Sequence, residues 1–390
     1  MSKSHFHIIY PFSAIVGQEL MKKALILNAI NPDIGGILIK GERGTAKSTA
    51  VRSLATLLPE QDVVLGCSFG CDPYNLSEMC SECREKEHIM KIVQRKMRVV
   101  ELPISATEDK VVGTLDISAA IKTGEKQFEP GVLAQAHRNI LYVDEVNLLN
   151  DHIVDVLLDV AAMGVNVIER EGISYSHPSV FIFVGTMNPE EGDLRPQLID
   201  RFGLCVQIAT ITDPDVRFEL IRRRMAFDSD PISFLNEWGS VDRKIAERIQ
   251  IAQKLLSSVI ISDELLRMIV SICIDVRVDG HRGDITMIKT AKTLAAYNGR
   301  TSVQEDDIRE AAKLVLSHRL KKTPFSNDTF DEEQINESIE KSKQRHNEQP
   351  LEEAEFEHTG SDRTTPDASA TTQFGASDPF VSTPQNLTRN

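Results

Sequence analysis

Residues 36–54 have the sequence GILIKGERGTAKSTAVRSL, and this stretch is the most informative part of the chain about its fold. A short apolar run leads into a turn that contains two glycines, and a helical pattern starts near Lys47. A phosphate-binding loop has the form Gly, four residues, Gly-Lys-Ser/Thr, which Gly41, Lys47 and Ser48 fit. Ala46 stands where the second glycine is usual. The stretch therefore predicts a strand, a phosphate-type loop and a helix, with one departure from the usual pattern.

The totals exclude several classes of protein. The chain has 390 residues, enough for two domains, and a net charge of −14 from 44 basic and 58 acidic side chains. An acidic surface repels phosphate backbones, and one Trp and five Tyr give no evident base-stacking platform, so no nucleic-acid partner is expected. No apolar run approaches the ~20 residues that a bilayer requires, and the N-terminus lacks a signal core. The sequence predicts a cytoplasmic protein without a membrane partner.

Two domains follow from the pattern of apolar residues. Over residues 5–225, short β-rich runs such as ILIKG, RVVELPI, NILYVDE and SVFIFVGT alternate with helical patterns. Such alternation is typical of an α/β sandwich with a buried parallel sheet. After about Phe227 the strand patterns stop, and helical spacing takes over in the repeat that starts at Val241. We predict an α/β core over residues 5–225 and an all-helical domain over residues 226–320.

The composition changes again after residue 320. Residues 321–390 contain seven Lys and Arg against fourteen Asp and Glu, so this tail carries half of the net charge. It is rich in Ser, Thr, Asn, Gln and Pro, and its apolar residues are isolated. Such a segment buries too little surface to offset the entropy lost on ordering. We predict a disordered acidic tail, with one transient helix over residues 330–343.

A second motif supports the loop as a nucleotide site. A strand–turn–helix unit aims backbone N–H groups and the positive end of a helix at phosphates. We predict Ala46 at the helix start with a negative φ, where its methyl group costs little and its N–H is retained. About one hundred residues later, the run ILYVDE ends in Asp144 and Glu145. One carboxylate can hold Mg²⁺ together with Ser48, and the next can polarise the attacking water.

Longer strings carry a resemblance to a known family. They include YPFSAIVGQE, GERGTAKST, ELPISATEDKVVGTLDI, FEPGVLAQAHRNILYVDEVNLLNDHIVDVLLDVAA, VNVIEREGISYSHPS and GTMNPEEGDLRPQLIDRFGL. Over about residues 9–320 the chain resembles the smaller AAA+ ATPase subunit of the magnesium chelatase family. The resemblance implies an α/β AAA+ P-loop fold with a parallel sheet between layers of helices, followed by an all-helical lid. It also implies ATP and Mg²⁺ as cofactors.

The resemblance assigns roles within the nucleotide site. It places Lys47 on the phosphates, puts Mg²⁺ on Ser48 and Asp144, and makes Glu145 the residue that activates water. The residues that it assigns to ATP binding are Gly41, Gly44, Thr45, Ala46, Lys47, Ser48, Thr49 and Asp144.

Further residues are assigned in the same way. Asn188 matches the sensor near the γ-phosphate, and Arg201 matches the arginine finger that reaches into a neighbouring subunit. Arg282 matches the second sensor on the lid, and Arg195 is a second candidate for contact across the interface. From the residues alone, the favoured interpretations are structural: Asn188 as a turn residue before proline, Arg201 in an ion pair with Asp200, and Arg282 as a solvated charge.

The resemblance also implies partners. Family members form hexameric rings, so hydrolysis requires the finger of a neighbour, which accelerates phosphoryl transfer by ~10³ to 10⁵ in well-studied cases. Hydrolysis then couples to movement of the lid and of two inserts, ATEDKVVGTLDISAAI and the hairpin NVIEREGISYSHPS. The implied partners are the D subunit, which joins a similar ATPase domain to an integrin-like metal-binding domain, and the large tetrapyrrole-binding H subunit. No integrin-like domain follows residue 320, so this chain is expected to be the motor.

Two alternatives remain. A MoxR-type remodelling ATPase that matures another metalloprotein shares the loop, the inserts and the finger. Only the long chelatase-like strings argue against it. A scaffold with an inactive ATP site is disfavoured, because the residue types that hydrolysis needs are present at Lys47, Asp144, Glu145, Asn188 and Arg201.

Four of the six cysteines form paired motifs within the loop of residues 66–84. The spacing is C-x₃-C, eight residues, C-x₂-C, at Cys67, Cys71, Cys80 and Cys83. Four thiolates in paired spacing suit tetrahedral Zn²⁺ or an iron–sulfur cluster. Redox-active thiols and four unliganded thiols are the alternatives, and His88 is a candidate extra ligand. Cys205 and Cys273 lie among apolar residues and are expected in the core.

Overall fold

The structure is a computed structural model. It describes residues 8–85, 91–116, 127–170, 173–319, 336–337 and 339–341. All of these residues belong to one compact unit, which ends at Asn347. His88 and most of the predicted tail lie outside the described residues.

The described residues contain eleven strands and twelve α-helices. The strands are β1 (Ile37–Gly41), β2 (Gln61–Val64), β3 (Ile92–Arg95), β4 (Val99–Leu102), β5 (Gly113–Asp116), β6 (Gln127–Pro130), β7 (Ile140–Val143), β8 (Val165–Arg170), β9 (Ile173–Pro178), β10 (Ile182–Met187) and β11 (Leu204–Ile208). The helices are α1 (Glu19–Ile30), α2 (Lys47–Leu57), α3 (Ser81–Glu85), α4 (Glu108–Val112), α5 (Val132–Ala136), α6 (Asp151–Met163), α7 (Pro196–Arg201), α8 (Pro214–Ser229), α9 (Pro231–Leu255), α10 (Asp263–Asp275), α11 (Arg282–Tyr297) and α12 (Glu305–Val315).

A five-stranded parallel sheet forms the centre of the α/β part, in the order β11-β1-β10-β7-β4. The four predicted apolar runs supply β1, β4, β7 and β10, and β11 adds the fifth strand. Strand β1 pairs Lys40 with Met187 of β10 and Gly41 with Ile208 of β11. Because parallel strands end at the same edge, the segments that follow β1, β7 and β10 all leave the sheet at one edge.

Both faces of the sheet are buried, as the continuous apolar runs predict. Ile37 and Ile39 face a core that includes α1 and α2, while Leu38 faces a second core that includes α6. All three side chains are fully buried. Full burial of each such residue contributes about 1.5–3 kcal/mol, so the alternation along β1 fixes the sheet between two layers of helices. This confirms the predicted α/β sandwich.

The helical part begins where the strands stop, and α8 spans the predicted boundary at residues 225 and 226. The buried apolar side chains of α9 to α12, except Phe234 of α9, belong to the same core as those of α1 and α2. The helical lid therefore packs directly on one helical layer of the α/β part, although the sequence treats it as a separate small domain. The all-helical prediction itself is confirmed.

A buried arginine fastens the end of the lid to the α/β part. The Arg319 guanidinium donates to the backbone oxygens of Asp200, Phe202 and Gly203 at 2.7–3.1 Å, and its Nε donates to the Asp200 carboxylate at 3.1 Å. Burial lowers the pKa of Arg319, and the Asp200 carboxylate opposes that shift. A charge so enclosed by acceptors ties α12 to the turn between α7 and β11. No local sequence pattern marks Arg319 for this role.

Three antiparallel hairpins project from the sandwich, formed by β2–β3, β5–β6 and β8–β9. The hairpin β8–β9 coincides with the string NVIEREGISYSHPS and confirms it as a β-hairpin. The string ATEDKVVGTLDISAAI supplies α4 and β5, the first half of another hairpin.

Part of the predicted tail is folded. Residues 336–337 and 339–341 are helical, and Ile339 is fully buried in the main core. The Arg309 guanidinium donates to the Asn336 side chain, which fixes this segment against α12. This segment lies within residues 330–343, for which the sequence predicts a helix. Ile339 packs in the core that the lid helices share.

None of the helices in the described ranges is both long enough and apolar enough to cross a membrane.

We predict that Gly203→Ala lowers the free energy of unfolding by about 1–3 kcal/mol, because an added Cβ would lie 2.0 Å from the Ile34 backbone oxygen. Gly239→Ala is the matched control: its Cβ meets no atom within 4 Å, and it lies inside α9. That change should stabilise by about 0.5–1 kcal/mol. Urea unfolding of both variants measures the difference, and equal stabilities would contradict the packing at Gly203.

Candidate functional site

The phosphate-type loop joins the end of β1 to the start of α2, as predicted. Gly41 is required by a close approach, since a Cβ there would lie 2.6 Å from the Ile208 backbone oxygen. Gly44 has φ +80°, a conformation that favours glycine. Helix α2 begins at Lys47, with Ser48 and Thr49 in its first turn. The loop thus presents the N-terminus of a helix at the carboxyl edge of the sheet, which suits an anion.

Ala46 differs from the prediction. Its φ is 63° and its ψ 20°, so it has left-handed backbone geometry as the N-cap of α2, and the predicted negative φ is wrong. The chain must turn in this sense to enter the helix directly from the loop. A left-handed conformation costs a non-glycine residue roughly 1–2 kcal/mol, which explains why glycine is usual at this position. The backbone N–H is retained.

Lys47 lies across the loop. Its Nζ donates to the backbone oxygens of Gly41 and Glu42, the latter at 3.2 Å. Burial lowers the pKa of Lys47, while the carboxylates of Asp144 and Glu145 oppose this shift. A partly desolvated ammonium that bonds only to carbonyl oxygens is available to exchange them for phosphate oxygens.

The acidic pair follows β7 at the same edge. Thr186 of β10 donates to Asp144 Oδ1 at 2.5 Å, and Tyr142 donates to the same oxygen at 2.8 Å. Burial raises the pKa of Tyr142, so its hydroxyl stays protonated and donates. The Glu145 N–H donates to Thr186 Oγ1 at 3.3 Å. Thr186 therefore positions both acids, and the sequence analysis missed it because only the pairing of β7 with β10 places it there.

Glu145 is held by an arginine of the loop. Arg43 Nη2 lies 2.9 Å from Glu145 Oε1 and also pairs with Glu191. The hydrogen bond to Glu145 raises the pKa of Arg43. The pair places the water-activating candidate beside the phosphate-type loop. Neither Arg43 nor Glu191 was singled out from the sequence, although Arg43 lies within the loop motif itself.

Asn188 follows β10, where Met187 pairs with Lys40, so it lies at the level of Gly41. It is buried, and its Oδ1 accepts from the Glu190 N–H at 3.3 Å, which caps the short 3₁₀ turn that follows. The structure therefore brings Lys47, Asp144, Glu145 and Asn188 to one edge of the sheet. The turn role considered for Asn188 is also present, and the two roles are compatible.

The three candidate arginines form ion pairs with aspartates other than Asp144. Arg201 Nη1 lies 3.1 Å from Asp155 and 2.6 Å from Asp159, both on α6, and not on Asp200 as the ion-pair alternative supposed. Arg195 pairs with Asp151 at 2.5 Å, and Arg282 lies 3.6 Å from Asp200. Arg201 and Arg195 thus both lie against α6, Arg201 half-buried and Arg195 exposed.

The four paired cysteines converge. Their sulfur atoms all lie within 4.8 Å of one another, and three of the four residues are buried. Hydrogen bonds from the neighbouring thiols of Cys71 and Cys80 lower the pKa of Cys67, while burial raises the pKa of Cys83 to about 12. Cys205 and Cys273 are separately buried in the core, as expected. The cluster is distinct from the loop at the carboxyl edge of the sheet.

The residues at this edge fit ATP with Mg²⁺. The cradle at Gly41 has no room for a side chain, the helix N-terminus and Lys47 are positive, and a hydroxyl and a carboxylate are present as hard oxygen ligands for the ion. Ser48 and Asp144 would hold the ion. The arrangement can bind a nucleoside triphosphate and direct a water at it.

Comparison with known proteins agrees with this chemistry. The AAA domain of the dynein-related subfamily matches residues 85–202, and the AAA lid domain matches residues 266–338. The magnesium-chelatase subunit ChlI homolog of Methanocaldococcus jannaschii is 57% identical over 340 residues, which cover 87% of this chain and 93% of that protein. Magnesium-chelatase subunit ChlI of Nostoc is 50% identical over 321 residues, which cover 82% of this chain and 86% of that protein.

A solved structure of a magnesium-chelatase complex is also similar to this chain. The complex between subunits BchI and BchD of magnesium chelatase, based on a single-particle cryo-EM reconstruction, contains a chain that is 46% identical. The match covers 85% of this chain and 99% of that chain, with a TM-score of 0.50. With the loop, the acidic pair and the lid in place, and with this identity to relatives over most of their length, the chain belongs to the magnesium-chelatase subunit ChlI family of AAA+ ATPases.

Proposed function

We propose that this protein is the ring-forming, ATP-hydrolysing motor of a tetrapyrrole metal chelatase, and that partner subunits insert the metal. The convergence of Lys47, Asp144, Glu145 and Asn188 at the carboxyl edge of the sheet carries the proposal. Lys47 binds the phosphates, Glu145 orients the attacking water, and Asn188 senses the terminal phosphate. The magnesium ion bound with ATP neutralises charge on the phosphates.

The position of Arg201 supports hydrolysis in trans. Its ion pairs with Asp155 and Asp159 fix it on α7 against α6, in contact with neither the loop nor the acidic pair among the described residues. A guanidinium there cannot stabilise charge in its own site but can do so in that of a neighbour in a ring. Two aspartates that share one arginine also hold its long side chain ready for that contact.

The lid is joined to the finger through Asp200. The carboxylate of Asp200, next to Arg201 in the sequence, bonds to Arg319 at the end of the lid and lies 3.6 Å from Arg282 at the start of α11. A change in lid position on ATP binding or hydrolysis would therefore act on α7. This is a physical route by which the state of one nucleotide site biases the next.

Chelation is assigned to partners because the relatives are chelatase subunits. The BchI–BchD complex supports a D-type partner, and the large tetrapyrrole-binding H subunit is proposed as the third component. The tetrapyrrole and its metal ion are substrates of the whole assembly.

We predict that Thr186→Val lowers kcat of ATP hydrolysis about 10- to 100-fold, because it removes the bonds that hold Asp144 and the Glu145 N–H. The KM for ATP should change little. Thr290→Val is the control, since this buried threonine only donates to the Thr286 backbone oxygen at 2.7 Å within α11. Steady-state kinetics of ATP hydrolysis measure kcat and KM for both variants. An equal effect of the two would show that Thr186 acts only through stability.

Mixing two inactive variants tests the finger. Arg201→Ala lacks the finger but keeps its own Glu145, and Glu145→Gln lacks the base but keeps its finger. Each alone should hydrolyse ATP at least ~10³-fold more slowly than the native protein. Their mixture should regain activity at interfaces where an Arg201→Ala site meets the finger of a Glu145→Gln neighbour. The same experiment with Arg195→Ala in place of Arg201→Ala identifies Arg195 as the finger if only that mixture regains ATP hydrolysis. No recovery in either mixture would contradict hydrolysis in trans.

Capture of the assembly tests the chelatase role. Tagged Glu145→Gln should retain ATP·Mg²⁺ and hold its partners in a cell extract, whereas tagged Lys47→Ala should not retain nucleotide and serves as the control. We expect an ATPase with an integrin-like domain and a large tetrapyrrole-binding subunit, identified by mass spectrometry. Recovery of a different metalloprotein without a tetrapyrrole-binding subunit would reassign the motor to MoxR-type remodelling.

A further inference from the structure

The four-cysteine cluster is arranged for a single metal ion. Cys67 Sγ lies 3.6 Å from Cys71 Sγ and 3.9 Å from Cys80 Sγ, and all four sulfurs lie within 4.8 Å of one another. These separations far exceed the ~2.05 Å of a disulfide bond. Four thiolates at 2.3 Å from a tetrahedral ion would be about 3.8 Å apart. The sulfurs therefore already have the spacing of a four-coordinate site.

We propose that Cys67, Cys71, Cys80 and Cys83 bind one structural Zn²⁺ ion, and that this site is the platform on which two of the hairpins rest. Zinc with four thiolates is a closed tetrahedral site with no open position, which suits a structural role. An iron–sulfur cluster places several iron and sulfide atoms between its thiolates and needs a wider spacing than these sulfurs have.

The surrounding charges support an anionic centre. Zinc with four thiolates carries a net charge of −2, and the Arg95 guanidinium packs beneath the turn at Gly70, within the first cysteine pair. Arg95 Nη2 is buried and has no hydrogen-bond partner among the described residues. A buried guanidinium nitrogen without an acceptor is costly, and a zinc thiolate centre supplies negative charge beside the half-buried Arg95 side chain.

A second arginine holds the same turn. Arg138 Nη1 donates to the backbone oxygens of Asp62 at 2.7 Å and Gly70 at 3.4 Å, and its Nη2 pairs with Asp72 at 3.0 Å. The Cys80 N–H points at Cys71 Sγ at 3.2 Å. Such outer contacts orient the ligands of a metal site.

An aromatic stack that begins between the first two cysteines connects this platform to the hairpins. Phe69 is buried and stacks on His177 of β9, with ring centroids 4.8 Å apart, and on Phe128 of β6 at 6.2 Å. Phe128 stacks in turn on Tyr175 of β9 at 4.4 Å. The cysteine loop thus touches the hairpins β5–β6 and β8–β9 through one side chain that the two-cysteine turn positions. On the proposed function, these hairpins are the parts that the ATP cycle moves, so the ion would fix their common base.

Metal analysis of the full chain tests the site without nucleotide. We expect one zinc per chain, no iron and no acid-labile sulfide. Cys80→Ser should lose the zinc, and Cys273→Ala, a buried cysteine of α10 outside the cluster, should keep it. Iron with sulfide would overturn the assignment to zinc. Metal-free native protein that takes up no added zinc would overturn the site itself.

Arg95 lies outside the four ligands, so its substitution tests the site without changing a ligand. Arg95→Met should weaken zinc affinity 10- to 100-fold in competition with a chelator. Lys96→Met, at a side chain that is 86% exposed, should leave the affinity unchanged. Equal affinities in the two variants would overturn the role given to Arg95.

Hydrogen exchange tests the platform. Removing zinc from the native protein should abolish protection in β8–β9, while α10 keeps its protection. Unchanged exchange in the hairpin would overturn the platform role even if zinc is bound. Failure of any of these three tests leaves the proposed ATPase function standing, because none of the measurements uses nucleotide.

Discussion

The close contact between the end of β1 and β11 is the constraint on which the site depends. At Gly41 the two strands approach so closely that a single Cβ would lie 2.6 Å from the Ile208 backbone oxygen. The chain can therefore turn at once from β1 into the loop and enter α2. Because the sheet is parallel, the chain segments after β7 and β10 leave at the same edge. Lys47, the acidic pair and Asn188 meet there for that reason.

Local strain and buried polar contacts hold these groups in place. Five non-glycine residues have a positive φ in the described part of the chain, and two of them, Ala46 and Glu145, belong to the site. Such strain persists only where the surroundings enforce it. Helix α2 enforces it at Ala46, while Thr186 and Arg43 enforce it at Glu145 through the backbone N–H and the carboxylate. The acids are thus positioned by contacts within the protein itself, which is the arrangement that electrostatic catalysis requires.

The lid and the hairpins, which the proposed function makes the moving parts, are attached in two different ways. The lid shares a continuous apolar core with α1 and α2 and is tied to α7 by the buried Arg319. The hairpins β5–β6 and β8–β9 instead meet the cysteine loop through aromatic side chains. A shared core transmits small shifts from one packed helix to the next. Two hairpins on a common rigid base can instead move as rigid bodies. Neither attachment uses Lys47, Asp144, Glu145 or Asn188, the residues that meet at the carboxyl edge of the sheet.

The sequence by itself determined the loop, the acidic pair, the alternation of strands and helices, and the helical lid, because each is a local pattern of apolar spacing or of adjacent residue types. It also indicated four paired cysteines as a candidate metal site, whereas the convergence of their sulfur atoms is seen in the structure. Only the tertiary structure placed Thr186 beside Asp144, Arg43 on Glu145, Arg319 on Asp200 and Ile339 in the core. It also corrected the φ of Ala46. These contacts join segments far apart in the chain, and strand register and helix packing, which no local pattern encodes, decide which of them form.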